Sequence, residues 1–456
     1  MESQEFKGRW FSPNNPDVRV PGMADFDSDG GELNLFGALI GDDTETDIFN
    51  LELEELFGGL LLGNTLDSGL VTISDANPTN VTGPLSPVET STTSSTYEFT
   101  RIYKGAHFEQ EPSFSQLSLS FDGLTEWFGE SRVEPEFPDE EEVRSRYAIM
   151  EPKEVEIELP KAVLTIIADT AFSMSSTVTE LEDSVIAHID PDEPLSFLEL
   201  REQYINPLQR YLALATTTPV HAKNITATAD EDTRVEVLSM IPNHSPKERS
   251  VSPASMLFTP TDVDLESSIQ HWFQNEAEAE FLFNFYFGTL YNSHLFLEHE
   301  FLSLAVAIES YFSHRNPDFK IMDQDAYREH IEAALNEIPD DLEIKQRLRG
   351  LLLSIGNLPS FKDKLEIVVD EERAVLSTLF DIEETLSMAT TIRHDLAHGL
   401  GEDYSNRELA NIRFRLQIIV ECILLDIAGL GTDHKLQALY SKYHGASFLE
   451  VDTDTS

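Results

Sequence analysis

The chain has 456 residues, with 83 acidic side chains against 31 basic ones and a formal net charge of -52. This length is sufficient for roughly two or three domains, and an apolar fraction of 41% is sufficient to form a sizeable core. The composition therefore excludes a wholly disordered acidic chain. Cys422 is the single cysteine, which excludes disulfide bonds and a cysteine zinc cluster within one chain and favours a reducing compartment.

The acidic residues are spread over the whole length of the chain, and arginine outnumbers lysine among the basic residues. A specific basic partner would more often face one acidic block. Dispersed negative charge instead keeps a protein soluble in molar salt, where a Debye length of about 3 Å removes most of the self-repulsion. The composition therefore predicts a halophilic protein.

The segment from Met1 to Lys7 is polar and lacks the apolar centre of a signal peptide. No apolar run approaches the roughly 18 residues that a membrane-spanning helix needs. We therefore expect a cytoplasmic protein with no membrane segment.

The first half of the chain is predicted to be mainly β. Polar and apolar residues alternate from Val155 to Leu159, and a β-rich run follows from Ala162 to Ala168. Turn residues such as Asp29-Gly30-Gly31 separate such runs. The polar runs 91–96 and 135–142 are predicted surface loops.

One trailing helix and a last strand complete the predicted first domain, residues 1–242. The strand is expected over residues 233–241, and Trp10 and Trp127 are expected in the core. The apolar face of the helix comprises Phe197, Leu200, Tyr204, Leu208, Tyr211 and Leu212.

The second half is predicted to be an all-α helical bundle over residues 261–445. A connector rich in proline and serine precedes it at 243–260, and an acidic tail follows at 446–456. A further helix is expected over residues 341–355. Three apolar helix faces carry this prediction: Leu297, Phe301, Leu304, Ile308 and Tyr311; Val375, Leu379, Ile382, Leu386 and Ala389; and Leu409, Ile412, Leu416, Ile419, Ile423 and Ile427.

Side chains suited to catalysis or binding are most concentrated at the end of the second of these faces. The segment is Ile392-Arg393-His394-Asp395-Leu396-Ala397-His398-Gly399. Arg393 is the next residue on the apolar face, so it needs a carboxylate partner, a phosphate ligand or a subunit interface. On a continuous helix Arg393 and His398 would point about 140° apart, and they converge only if the helix ends there. Gly399 is suited to end it, because glycine readily takes the left-handed position after a helix.

The pattern Arg393-His394-x-x-x-His398 resembles the R-polar-x3-H signature of HEPN domains. The whole chain resembles the ApeA-type anti-phage proteins. The segments that carry this second resemblance are Gly8-Arg9-Trp10, Val20-Pro21-Gly22-Met23, Gly105-Ala106-His107-Phe108, Leu124-Thr125-Glu126-Trp127-Phe128 and Leu195 to Thr217.

The resemblance implies a dimeric, metal-independent endoribonuclease with no cofactor, which acts in abortive infection and leaves a 2′,3′-cyclic phosphate. His398 would serve as acid or base, because imidazole changes charge near neutral pH. Arg393 would grip the scissile phosphate, and His394 would orient the other two groups or the phosphate. The resemblance also makes the N-terminal domain a sensor for a phage-derived trigger. RNA is the expected substrate.

Two acidic residues are candidates for supporting roles. Asp395 is expected to form a local salt bridge or cap, with direct catalysis as the alternative. Glu309 lies alone in an apolar run, so we expect it to face solvent, with an ion pair to Arg393 as the alternative. His398 could also merely interact with the last carbonyls of its helix, and His394 could be a plain polar surface residue.

Three rival functions use the same residues. His394-Asp395-Leu396-Ala397-His398 is similar to the H-E-x-x-H zinc motif, although aspartate replaces the glutamate and no third ligand follows. The His394-Asp395 pair also matches the dyad of HD-type metal-dependent phosphohydrolases, although the nearest preceding histidine is His330. The third rival is a non-catalytic HEPN-like module for binding or dimerisation.

Overall fold

The computed structural model describes residues 3–37, 39, 59–82, 94–129, 133–136, 146–175, 177, 179–229, 233–240, 255–292, 294–339, 343–399 and 404–444. The chain divides into two compact units, residues 1–260 and 261–456. The first unit is mainly β and the second is all-helical, which confirms the predicted α+β class.

The first unit is built on one large antiparallel sheet. Its described strands are β1 (Gln4–Ser12), β2 (Asn15–Asp27), β3 (Gly30–Leu35), β4 (Leu60–Thr65), β5 (Gly69–Ser74), β6 (Asn77–Thr82), β7 (Ser94–Phe99), β8 (Arg101–Lys104), β9 (Ser113–Phe114), β10 (Gln116–Phe121), β11 (Val133–Glu136), β12 (Arg146–Ile149), β13 (Lys153–Leu159), β14 (Ala162–Met174), β15 (Thr179–Pro191), β16 (Leu195–Ser196), β17 (Ala222–Thr228) and β18 (Arg234–Ser239). Fourteen of them pair in the order β13-β14-β15-β10-β17-β18-β8-β5-β4-β1-β2-β3-β7-β6. β11 pairs with β12, and β16 pairs with β9.

Most of the predicted β segments are confirmed. Ile157 and Leu159 are buried on alternate positions of β13, and burial alternates along the first half of β14. The loop predicted at 91–96 is wrong from Ser94 onward, because β7 pairs there with β3 and β6. The loop predicted at 135–142 is wrong for residues 135 and 136, which belong to β11, and its remaining residues lie outside the described chain.

The predicted trailing helix is confirmed and is subdivided. It consists of α2 (Phe197–Leu200), a π-helix (Arg201–Ile205) and α3 (Asn206–Thr216), and it follows the short helix α1 (Leu124–Phe128) in the chain. Ser196 begins it with a capping box, in which its hydroxyl accepts from the Glu199 N–H and the Glu199 carboxylate accepts from the Ser196 N–H.

Both tryptophans lie in the core, as expected. Trp10 is fully buried and Trp127 is 1% exposed. A glycine is required at position 63, because a Cβ there would clash with the Trp10 ring. The Trp127 indole N–H donates to the carbonyl of Phe258 at 3.0 Å. Residues 256–258, which the sequence placed in the connector, are thus packed in the first unit, whereas residues 241–254 lie outside the described chain.

The second unit consists of packed helices. They are α4 (Leu265–Asn275), a 3₁₀-helix (Glu276–Ala279), α5 (Glu280–Tyr291), α6 (Leu297–Arg315), α7 (Gln324–Asn336), α8 (Glu343–Ile355), α9 (Phe361–Glu371), α10 (Arg373–Leu376), α11 (Ile382–His398), α12 (Asn406–Ile427) and α13 (Thr432–Tyr443). None of the described helices combines the length and the apolarity of a membrane span. The acidic tail predicted at 446–456 lies outside the described residues.

The predicted apolar faces form the core of this unit. All six residues of the α12 face are buried, and on α6 only Leu297 is partly exposed. The face from Val375 to Ala389 is also buried, but it is not one helix. The chain leaves the helix after α10, and Asp381 begins α11 by accepting a hydrogen bond from the Glu384 N–H at 2.8 Å.

Candidate functional site

The candidate site lies at the C-terminal end of α11. Gly399 takes the left-handed conformation with φ 61°, and its N–H donates to the carbonyl of Asp395. This confirms the predicted helix end. His398 is still the last helical residue, so helical geometry keeps it about 140° around the axis from Arg393. The helix end therefore does not by itself turn these two side chains toward each other.

Arg393 is held by an acidic residue of α6. Its Nη2 and Nε donate to Glu309 Oε2 at 2.8 Å and 3.2 Å. The side chains are 33% and 18% exposed, so the pair is partly shielded from water. The expectation that Glu309 faces solvent was wrong, because α9 and α11 both pack on α6 and each supplies a cation. The second cation is Lys364, whose Nζ lies 4.0 Å from Glu309 Oε1.

The other contacts of Arg393 leave part of its guanidinium available. The group lies 5.5 Å from the centre of the Phe361 ring, which is a cation–π distance. Of its two hydrogen bonds to Glu309, one is donated by Nε and the other by Nη2. Among the described residues Nη1 has no partner, so the edge formed by Nη1 and the second Nη2 hydrogen is free to bind an oxyanion.

His394 and His398 form a pair on the other side of α11. Their ring centres are 4.6 Å apart with an angle of 55° between the planes. Both side chains are exposed. A spacing of four residues puts them on one helix face. The structure therefore brings His398 to His394, and Arg393 to Glu309.

Asp395 differs from the expectation of a salt bridge or cap. The residue is 8% exposed, and within the described part of the chain its buried Oδ2 has no hydrogen-bond partner. It points inward because it lies three residues after Ile392, on the buried side of α11. It is a buried acid in the last turn of a helix, where the macrodipole also disfavours negative charge.

Two residues of this site were missed from the sequence, Phe361 and Lys364. Both belong to α9, and no local pattern distinguishes them from other residues of an amphipathic helix. No group of three or more His, Cys, Asp or Glu side chains arranged to hold a metal ion is found within the described ranges.

Comparison with known families agrees with this architecture and identifies the class as HEPN-containing anti-phage proteins. The family model "Apea-like HEPN" matches residues 302–434, which include Glu309, Arg393 and His398. The model "ApeA N-terminal domain 1" matches residues 5–272, more than half of the chain. The chain therefore belongs to the ApeA-type proteins with a C-terminal HEPN domain. No curated protein and no solved structure matches it.

Proposed function

We propose that the protein is a metal-independent endoribonuclease of the HEPN type that acts in abortive infection, with its N-terminal domain as the sensor of a phage-derived trigger. The observation that carries the proposal is the arrangement at the end of α11. A guanidinium with a free edge and a pair of exposed imidazoles lie within six residues, in the segment that matches the HEPN family.

These groups suit RNA cleavage by transfer to the 2′-hydroxyl. The reaction needs the hydroxyl oriented or deprotonated, the phosphorane charge stabilised and the leaving oxygen protonated. Arg393 would bind the phosphorane through its free edge. His398 would act as acid or base, and His394, which contacts its ring, would orient it. The product would end in a 2′,3′-cyclic phosphate.

Glu309 would serve as a positioning residue for Arg393. It fixes one edge of the guanidinium at 2.8 Å and 3.2 Å and so leaves the opposite edge with a defined direction. Since the pair is partly buried, this orientation is held more firmly than on a solvated helix face. The carboxylate also lowers the net charge at the site.

A homodimer would complete the site. Arg393 and His398 lie about 140° apart around α11, so one helix does not enclose a phosphate between them. A second copy of the same helix end could place its His398 opposite Arg393 of the first copy.

Two neighbouring arginines of α12, Arg413 and Arg415, do not provide a free basic surface. Arg413 pairs with Glu300 at 2.6 Å, and Arg415 is buried and pairs with Glu384 at 2.8 Å. In molar salt, counterion release also contributes little to RNA affinity. RNA would therefore be bound by shape, stacking and contacts at the site.

A non-catalytic HEPN-like module is the second candidate function. One observation favours it: Glu309 already satisfies two donors of Arg393, as in a structural ion pair. The two candidates differ in whether the function of the protein depends on His398. Among the described contacts, the side chain of His398 makes only the ring contact with His394, so its removal should not impair folding.

The test is RNA cleavage in molar KCl with EDTA, followed by analysis of product ends. It compares the wild type with His398→Ala and with His434→Ala, an exposed histidine of α13, as the matched control. We expect cyclic-phosphate products from the wild type and the control and none from His398→Ala. Equal cleavage by all three proteins, or cleavage that EDTA abolishes, would contradict the proposal. If none cleaves RNA, the same variants are compared for protection of phage-infected cells, where retained protection by His398→Ala would support the module.

A further inference from the structure

The first unit contains a cavity that the nuclease proposal does not use. Its volume is about 70 Å³, and it lies between the trailing helix and the sheet residues that follow it. This volume has room for roughly five water molecules. It is far smaller than a pocket for a drug-sized ligand. Its polar lining comprises Arg201, Asn206, Gln209, His221 and Ser239.

The π-helix shapes this lining. The Asn206 N–H donates to the carbonyl of Arg201, which is the five-residue bond of a π-turn. This bond brings Asn206 nearer to the helix face of Arg201 than a regular α-helix would, which puts the two about 140° apart. Pro207 supplies a local cause, because it has no backbone N–H with which a regular helix could continue. Both residues line the cavity.

The charge of the cavity is positive in a strongly acidic chain. No acidic residue is found among the described residues that line it, although the chain has 83 acidic residues. Arg201 uses one donor, Nη1, in a long hydrogen bond of 3.4 Å to the Ser239 hydroxyl. No carboxylate of the described residues forms an ion pair with it.

A second buried arginine lies nearby and is itself paired, since its Nη2 lies 2.6 Å from Asp75 Oδ2 and 3.7 Å from Glu111 Oε1. Arg101 is 2% exposed and lies over the ring of Phe197, which lines the cavity, at 5.5 Å. Burial, followed by the charge of Arg101, lowers the pKa of Arg201 below its ordinary value. Both effects disfavour the guanidinium cation, and a bound anion would relieve them.

We propose that this cavity is a binding site for a phosphate-sized oxyanion, either free or as the terminal group of a larger ligand. Arg201 would supply charge-assisted N–H donors, and the side-chain amide of Asn206, which also lines the cavity, would supply a further donor. The proposal is independent of the nuclease activity of the second unit.

The experiment is equilibrium dialysis of the full-length protein with radiolabelled inorganic phosphate in molar KCl. We expect saturable binding of one phosphate per chain. Arg201→Met should weaken it by about tenfold or more, because charge-assisted hydrogen bonds are lost. The matched control is Arg234→Met, which removes the same charge from an exposed position of β18 and should bind like the wild type.

A second variant keeps the test decisive if Arg201→Met fails to fold. Asn206→Asp keeps the shape of the side chain but introduces a negative charge on the cavity face, so it should also abolish phosphate binding while the far-UV spectrum stays unchanged. The absence of saturable binding by the wild type of both inorganic phosphate and a phosphate ester would overturn the proposal. Binding by Arg201→Met and Asn206→Asp that equals the wild type would also overturn it. Binding of a phosphate ester but not of inorganic phosphate, lost in both variants, would assign the site to a larger ligand.

Discussion

Arg393 and Glu309 lie 84 positions apart in the sequence, yet two hydrogen bonds join the guanidinium of one to a single carboxylate oxygen of the other. The ion pair ties α11 to α6 and fixes the orientation of the residue that we propose binds the scissile phosphate. The same pair also explains how an arginine is accommodated in line with an apolar helix face.

The first prediction concerns the strength of this pair. A double-mutant cycle with Glu309→Gln and Arg393→Met should give a coupling free energy of unfolding of about 0.5–1 kcal/mol, because the pair is only partly shielded. The matched control is Arg373 with Asp370, an ion pair that is 45% and 53% exposed. Its coupling should be smaller. Urea unfolding in molar KCl measures both cycles, and equal coupling in the two pairs would contradict the structural assignment.

The second prediction concerns Asp395. Replacement by asparagine removes the charge of a buried carboxylate whose Oδ2 has no hydrogen-bond partner among the described residues and that lies at the unfavourable end of the helix dipole. We expect Asp395→Asn to raise the free energy of unfolding by about 0.5–1 kcal/mol.

The opposite end of the same helix provides the control. Asp381 caps α11, so Asp381→Ala should lower the free energy of unfolding by about 1 kcal/mol. Chemical denaturation of both variants tests the contrast. Destabilisation by Asp395→Asn would mean that the carboxylate makes a stabilising contact in the folded protein.

The helix ends were the most predictable part of this site. Gly399 indicated the end of α11, and the face from Leu409 to Ile427 gave α12, because both signals are local. The break before α11 was missed, since Leu379 continues the apolar spacing across it. A signal was present in Asp381 followed by Glu384, which is a helix-start pattern.

The contacts between elements could not be predicted in the same way. The partner of Arg393 depends on how α6 packs against α11, and the sequence around Glu309 favoured a solvated position over the ion pair. The π-helix was also missed, because apolar spacing from Phe197 to Leu212 is compatible with a regular helix. Only Pro207 indicated an interruption.

The third prediction concerns the reactivity of Cys422. The thiol is buried and lies 3.4 Å from Glu372 Oε2. Burial, followed by the charge of Glu372, raises the pKa of this thiol well above its ordinary value. Since the thiolate is the reactive form, native protein at mildly alkaline pH should not react with a thiol reagent, whereas denatured protein should react at one site per chain. Fast, complete labelling of the native protein would contradict the buried position.

The fourth prediction concerns salt. The fold should loosen as KCl falls from molar concentration to about 0.1 M, because the Debye length grows to about 10 Å and the negative charges repel each other. Melting curves and far-UV spectra across this range provide the measurement. Sucrose at equal osmolality is the control, since it does not screen charge. Unchanged melting temperatures would contradict the halophilic interpretation.

The most direct test of the proposed site is the RNA cleavage rate of the Arg393→Ala/His398→Ala double variant in molar KCl with EDTA, measured beside the wild type. If the end of α11 is the active site, the rate falls by at least about 10²-fold to 10⁴-fold while the far-UV spectrum stays the same. RNA cleavage at the full wild-type rate by the double variant would contradict the account.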